Sequence, residues 1–157
     1  MAGLEVIRVE GPEQLEQALA IRRTVFVREQ GVSEALEIDG LDDDAEHLLA
    51  LADARPVGTL RIRILDEGRI AKIERVAVLA MARGRQVGRA LMITALDQAR
   101  ALRVAEVRLH AQTTVRDFYG RLGFSAFGDE FMEDGIRHIA MRLPLVPAPP
   151  SAAGEPC

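Results

Sequence analysis

Tryptophan is absent from this chain of 157 residues and aromatics make up only 4% of it, so aliphatic side chains must supply the core. The single cysteine, Cys157, closes the sequence as a free terminal thiol, which excludes an internal disulfide and a cysteine-based metal cluster. No apolar run approaches the ~20 residues of a membrane-spanning helix. The opening MAGLEVIRVEG has neither the basic region nor the long apolar region of a secretory leader, so a cytoplasmic protein with no membrane partner is expected. An excess of positive charge is missing too. A net charge of −4 argues against a general nucleic-acid binder. Neither Gly-x-Gly-x-x-Gly nor a glycine loop ending in Lys-Ser/Thr occurs, which sets aside two nucleotide-binding motifs. No run has the ligand spacing of a calcium loop, and no metal is predicted. What remains is a chain 48% hydrophobic, enough for one sizeable core.

Hydrophobic periodicity divides that chain into elements. Leu4 to Val9 alternates as a strand, and Gly11-Pro12-Glu13 opens a helix in which Leu15, Leu19, Arg22 and Phe26 follow the helical period. Ile21 to Gln30 leads into Gly31 and a polar loop, Ser33 to Glu46, the most acidic stretch of the chain. Two readings of that loop stand: a solvated connection, or a wall that draws a cationic amine. His47 to Asp53, Val57 to Leu65 and Arg69 to Leu79 read as a three-stranded meander. After a long helix come a strand at Glu106 to Ala111, a short helix at Thr114 to Leu122, and a hairpin of Ser125 to Met132 with Ile136 to Leu143. The order β, α, βββ, α, β, α, ββ predicts an α+β fold, an α/β sandwich whose mixed, mostly antiparallel sheet carries helices on both faces. Residues 1–143 form a single domain on this reading, and 144–157 a Pro/Ala-rich tail disordered by composition.

The stretch that organises the rest is Ile73 to Leu102, strand then turn then helix. Val87, Leu91, Ala95, Gln98 and Leu102 recur at helical spacing, so one helix face is turned to a sheet. The turn, Arg83-Gly84-Arg85-Gln86-Val87-Gly88-Arg89, puts two glycines and three arginines at a helix start. The first N–H groups of a helix lack internal partners and carry partial positive charge, and glycine lets a bulky anion come close. A phosphate or pyrophosphate suits such a turn. A plain turn beside a solvated basic face is the alternative.

These residues resemble the acyl-CoA-binding motif of the GNAT superfamily of N-acetyltransferases, Gln/Arg-x-x-Gly-x-Gly/Ala. With Arg83 first, Gly88 is the last glycine and Gln86 replaces the earlier one. A register beginning at Arg85 satisfies the pattern but falls too late after the strand. The segment from Ala111 through Gln112, Tyr119 and Phe124 is similar to the family's Asn-x-x-Ala-x-x-Phe-Tyr-x-x-x-Gly-Phe, with Gln112 for the asparagine and Val115 for the alanine. Val25 to Gln30, Glu37 to Asp42 with His47, and Glu133 to Met141 resemble the ElaA-like branch. The resemblance implies a sheet that splays between strands ending near Val78 and Ala111, with acetyl-CoA as co-substrate in the gap. It implies contacts from Val76, Ala77, Val78, Arg83, Gly84, Arg85, Gln86, Val87, Gly88, Arg89, Gln112 and Tyr119. Backbone N–H groups at Val76 and Val78 would hold the pantetheine amides and thioester oxygen.

The reaction so implied is direct attack of a primary amine, small-molecule or peptidic, on the thioester in a ternary complex. Tyr119, the only tyrosine, would protonate the departing thiolate. Glu74, placed by strict alternation on the same face as Val76 and Val78, is one candidate base; His47 and His138, whose imidazoles ordinarily titrate near neutrality, are the others. No covalent nucleophile is indicated. A non-catalytic acyl-CoA-binding or regulatory module is the alternative reading, and the assembly is open, a homodimer included.

Overall fold

The computed structural model describes residues 3–145. Strand Leu4–Arg8 (β1) leads to helix Gly11–Arg22 (α1), a π-helical segment Arg23–Glu29, and a single helical turn Glu34–Glu37 (α2). Strands Glu46–Ala52 (β2), Arg55–Leu65 (β3) and Ile70–Val78 (β4) form the meander, and helix Val87–Ala101 (α3) follows it. Strand Glu106–Gln112 (β5), helix Arg116–Gly120 (α4) and the hairpin Ser125–Glu133 (β6) with Ile136–Pro144 (β7) complete the order. Pro144 thus ends β7 instead of opening the tail. Leu145 follows it, its N–H bonding the Ala105 carbonyl at 2.9 Å, and residues 146–157 of the predicted tail, with Cys157, lie outside the described residues.

One seven-stranded sheet runs β1-β2-β3-β4-β5-β7-β6. Its neighbours are antiparallel except β4 and β5, which run parallel and are joined by the crossover through α3. Helix α3 covers one face, where Val87, Leu91, Met92, Ala95, Leu96 and Ala99 pack against Leu60, Ile62, Ile73, Val107 and Leu109. The buried stripe of α3 therefore ends on Ala99, and Leu102 is exposed. Gly58 permits the close approach: a Cβ there would stand 2.9 Å from Val87 Cγ1 and 3.1 Å from Leu91 Cδ1.

Helix α1 covers the first half of the other face. Its fully buried stripe is Ala18, Ile21 and Arg22, continued by Val25, and Leu15 and Leu19 are only half-buried. Beyond Arg22 the helix widens by one residue, the Gln30 N–H reaching the Val25 carbonyl at 3.2 Å. That widening carries Glu29 and Gln30 to the edge of the open half of this face.

Candidate active site

The site begins where two parallel strands stop pairing. The β4–β5 ladder ends at Ile73 with Leu109, so the β4 edge from Glu74 to Val78 has no partner in β5. A β-bulge falls at the same place: Thr59 pairs with Ala77 but Arg61 pairs with Glu74, and Arg75 takes a left-handed φ of +58°. Strict alternation fails across it. Val76 and Val78 pack towards α3, whereas Glu74 shares its face with Ala77 and Arg61. The face expected for Glu74 is corrected accordingly, because the extra residue reverses the side chains that precede it.

The parting opens a cleft of about 930 Å³ that runs from the start of α3, past Tyr119, to the polar side of the sheet. Val76, Ala77 and Val78 line it, as do Arg83, Gly84, Gln86, Val87, Gly88 and Arg89, with Gln112 and Tyr119. Arg85, exposed on the same turn, is not among the lining residues.

Helix α3 starts with its polar groups unfilled. Its first internal bond runs from the Ala90 N–H to the Gln86 carbonyl at 3.0 Å, so the N–H groups of Val87, Gly88 and Arg89 have no helical acceptor. No side chain caps the end and no acidic residue lies in the first turn. Gly84 turns the chain at φ +77°. Gln86, in the family's glycine position, is held at φ +69°, a conformation glycine would adopt without strain. Gly88 has an ordinary helical backbone with space around it, its nearest neighbour Phe118 Cζ standing 3.4 Å from a built Cβ. The fold therefore does not require glycine there, although glycine disfavours a helix by ~1 kcal/mol relative to alanine. Among the described residues Arg85 and Arg89 have no carboxylate partner, whereas Arg83 bonds the Val78 carbonyl at 3.0 Å and Glu29 at 2.5 Å. Across the cleft, Gln112 donates to Gln30 Oε1 at 2.9 Å.

Tyr119 is held edge-on between Phe118 and Phe124 at centroid distances of 4.9 and 6.1 Å. Burial pushes its phenol well above the usual tyrosine range, so it keeps its proton at neutral pH.

The acidic loop divides: Glu34, Asp43 and Asp44 are exposed, as in a solvated connection, whereas Glu37, Asp39 and Asp42 meet arginines. Glu37 bonds Arg22 and Arg75, both at 2.9 Å. Asp42 bonds Arg22 at 2.7 Å and Arg61 at 3.0 Å, and Asp39 bonds Arg61 at 2.8 Å and Arg75 at 3.2 Å. Arg22 and Arg61 are each 1% exposed, so these three carboxylates neutralise buried charge, Asp39 from an exposed position and Glu37 from the wall of the cleft. Burial alone would raise the Asp42 carboxyl, but Arg22 and then Arg61 hold it below its ordinary value.

Glu74 closes the same cluster, bonding Arg61 at 2.6 Å, Arg63 at 2.8 Å and Lys72 at 3.3 Å. Burial opposes its charge, yet Arg63, Arg61 and Lys72 prevail and hold it at about 2. A carboxylate so clamped lines the cleft but accepts a proton poorly. His47 is a further correction: its Nε2 lies 3.0 Å from the Asp42 carbonyl, anchoring the loop, and it does not line the cleft. His138 does line it, with Nδ1 2.7 Å from the Ile136 carbonyl and its ring stacked on Phe131.

One pair escaped the sequence reading. His110 Nδ1 lies 2.8 Å from Glu133 Oε1, and both side chains line the cleft. The hydrogen bond from His110 holds the Glu133 carboxyl below its ordinary value against partial burial, with His138 and Lys72 adding to it. Alternation could have placed His110 beside Gln112, but its partner lies 23 residues away across β7.

Comparison with known proteins decides the lineage. Residues 9–145 match the model of the acetyltransferase (GNAT) domain. The chain belongs to the GNAT family. The N-acetyltransferase YjcF of Bacillus subtilis, itself uncharacterised, is 36% identical over 88% of this chain and 98% of its own. Among solved structures, Escherichia coli ElaA superposes with a TM-score of 0.79 at 32% identity, covering 89% of this chain and 99% of ElaA. An acyl-CoA N-acyltransferase from Pseudomonas aeruginosa superposes at 0.78 with 34% identity, covering 88% and 99%. The ElaA-like branch and the GNAT fold, a mixed and mostly antiparallel sheet with helices, are thereby established.

Proposed function

We propose that the protein is an acetyl-CoA-dependent N-acetyltransferase that acts on a primary amine by direct attack in a ternary complex. The observation that carries this is the helix start at the mouth of a cleft that continues to Tyr119: three amides and an arginine, Arg89, without partners among the described residues, and a glycine at 88 that the fold does not require. Those groups suit the diphosphate of acetyl-CoA. The pantetheine arm then follows the unpaired β4 edge, where backbone groups of Val76 and Val78 reach its amides and thioester oxygen. Tyr119, kept protonated by burial, supplies the proton for the leaving sulfur. The activity of the Pseudomonas aeruginosa relative is of the same class.

The test is chromatographic detection of free CoA and acetylated amine when acetyl-CoA is supplied with a panel of small primary amines and lysine-containing peptides. Turnover is expected. Tight acetyl-CoA binding without turnover of any amine would favour the binding-module reading instead. In Tyr119→Phe, kcat should fall by about 100-fold while acetyl-CoA affinity stays within about twofold. Unchanged kcat would remove the acid role.

A further inference from the structure

We infer that His110, oriented by Glu133, is the base that takes the proton from the incoming ammonium; this rests on the acetyl-transfer reading above. Position is the first argument. His110 is the first residue of β5 beyond the last pairing with β4, so it stands at the opening of the gap. Its neighbours Leu109 and Ala111 are buried in the core beneath α3, so His110 points to the opposite, polar face. Tyr119 packs on the α3 side. Tyr119 and His110 thus flank the gap from opposite faces, so a thioester held there would be reachable by the phenol from one side and by an amine beside His110 from the other.

Chemistry is the second argument. A carboxylate only accepts hydrogen bonds, so the contact with Glu133 places the His110 proton on Nδ1 and leaves the Nε2 lone pair free. The same carboxylate stabilises the imidazolium that forms, although both side chains keep 35% of their surface exposed, which leaves Nε2 within reach of an incoming amine. Most other titratable and charged groups nearby are engaged elsewhere: Glu74 and Lys72 on β4 are bonded to each other, Arg108 on β5 to Glu106, Glu29 to Arg83 and Glu37 to Arg75, and His138 on β7 is backed only by a backbone carbonyl. Asp134, in the β6–β7 turn, also lines the cleft and lacks the oriented histidine partner that Glu133 has.

The steps balance. The ammonium N–H bond breaks, and Nε2 takes that proton and later releases it to solvent. The freed amine forms the N–C bond, and the C–S bond breaks. The thiolate takes the Tyr119 proton, which the attacking nitrogen replaces as it becomes an amide.

The deciding experiment compares wild type, His110→Gln and Glu133→Gln, with acetyl-CoA and two acceptors: the best amine of the panel, and hydroxylamine, which is already uncharged at neutral pH. For the amine, His110→Gln should lose about 100-fold or more in kcat/KM with acetyl-CoA affinity unchanged, and the loss should shrink to about tenfold or less with hydroxylamine. Glu133→Gln should move the acid limb of the kcat/KM profile to lower pH, and an unmoved limb overturns the orienting role. Equal losses of His110→Gln on both acceptors, or none, overturn the inference while wild-type turnover preserves the acetyl-transfer reading. Wild type that binds acetyl-CoA and acetylates neither acceptor overturns both.

Discussion

Two arginine-rich clusters lie at opposite ends of the same cleft and behave in opposite ways. Under the acidic loop, Arg22, Arg61, Arg63, Arg75 and Lys72 meet Glu37, Asp39, Asp42 and Glu74, and each charge has a partner within 3.3 Å. At the start of α3, Arg85 and Arg89 accompany three unpaired amides with no acidic residue in the first turn. The first cluster is closed and its charges serve the fold. The second is open, and its positive potential is available to a ligand. A count of arginines does not separate the two; the carboxylates, and where the backbone aims them, do.

The contrast is broken most severely at Arg61. Its removal leaves Asp39, Asp42 and Glu74 facing one another without the guanidinium that joins them. Arg61→Met should therefore cost about 3–5 kcal/mol in urea denaturation. A loss below about 1 kcal/mol would show that the cluster is dispensable. Acid should erode the same cluster more gradually. The carboxyls of Asp39, Asp42 and Glu74 sit lower in the folded chain than their ordinary values, so their contribution is complete above about pH 4.5 and is lost as pH falls towards the folded value of about 2 for Glu74. Melting temperature should stay level from neutrality to about pH 4.5 and drop below it. A steep drop between pH 7 and 5 would place the acid-sensitive groups elsewhere. At the open cluster the effect is smallest. Gln86→Gly relieves a left-handed glutamine and should stabilise the protein by about 1 kcal/mol or less, with acetyl-CoA affinity retained. A destabilisation would mean that the glutamine side chain holds the turn.

Much of this was readable in the sequence because it is local. The strand, turn and helix around Gly84 and Gly88 announce themselves through periodicity and composition, and Tyr119 lies in a contiguous motif. The hidden parts depend on what the chain does at a distance. Nothing at Arg75 marks a bulge, since the left-handed residue is an arginine, yet that one extra residue moves Glu74 to the other face. Glu37, Asp39 and Asp42 read as solvated with the rest of the acidic loop until Arg22 and Arg61 prove to be buried partners contributed by α1 and β3. The His110–Glu133 pair forms only because β7 intervenes between β5 and β6 and brings their side chains onto one face.

If the open cluster grips the diphosphate of acetyl-CoA, calorimetric titration of acetyl-CoA must distinguish wild type from Gly88→Glu. The variant places a carboxylate where the phosphates should lie, at a position where a Cβ makes ordinary contacts with Phe118 and Val78. Affinity should fall by about 100-fold or more, because facing like charges cost several kcal/mol, and the melting temperature of the free protein should barely move. Equal affinity in the two proteins would contradict the account.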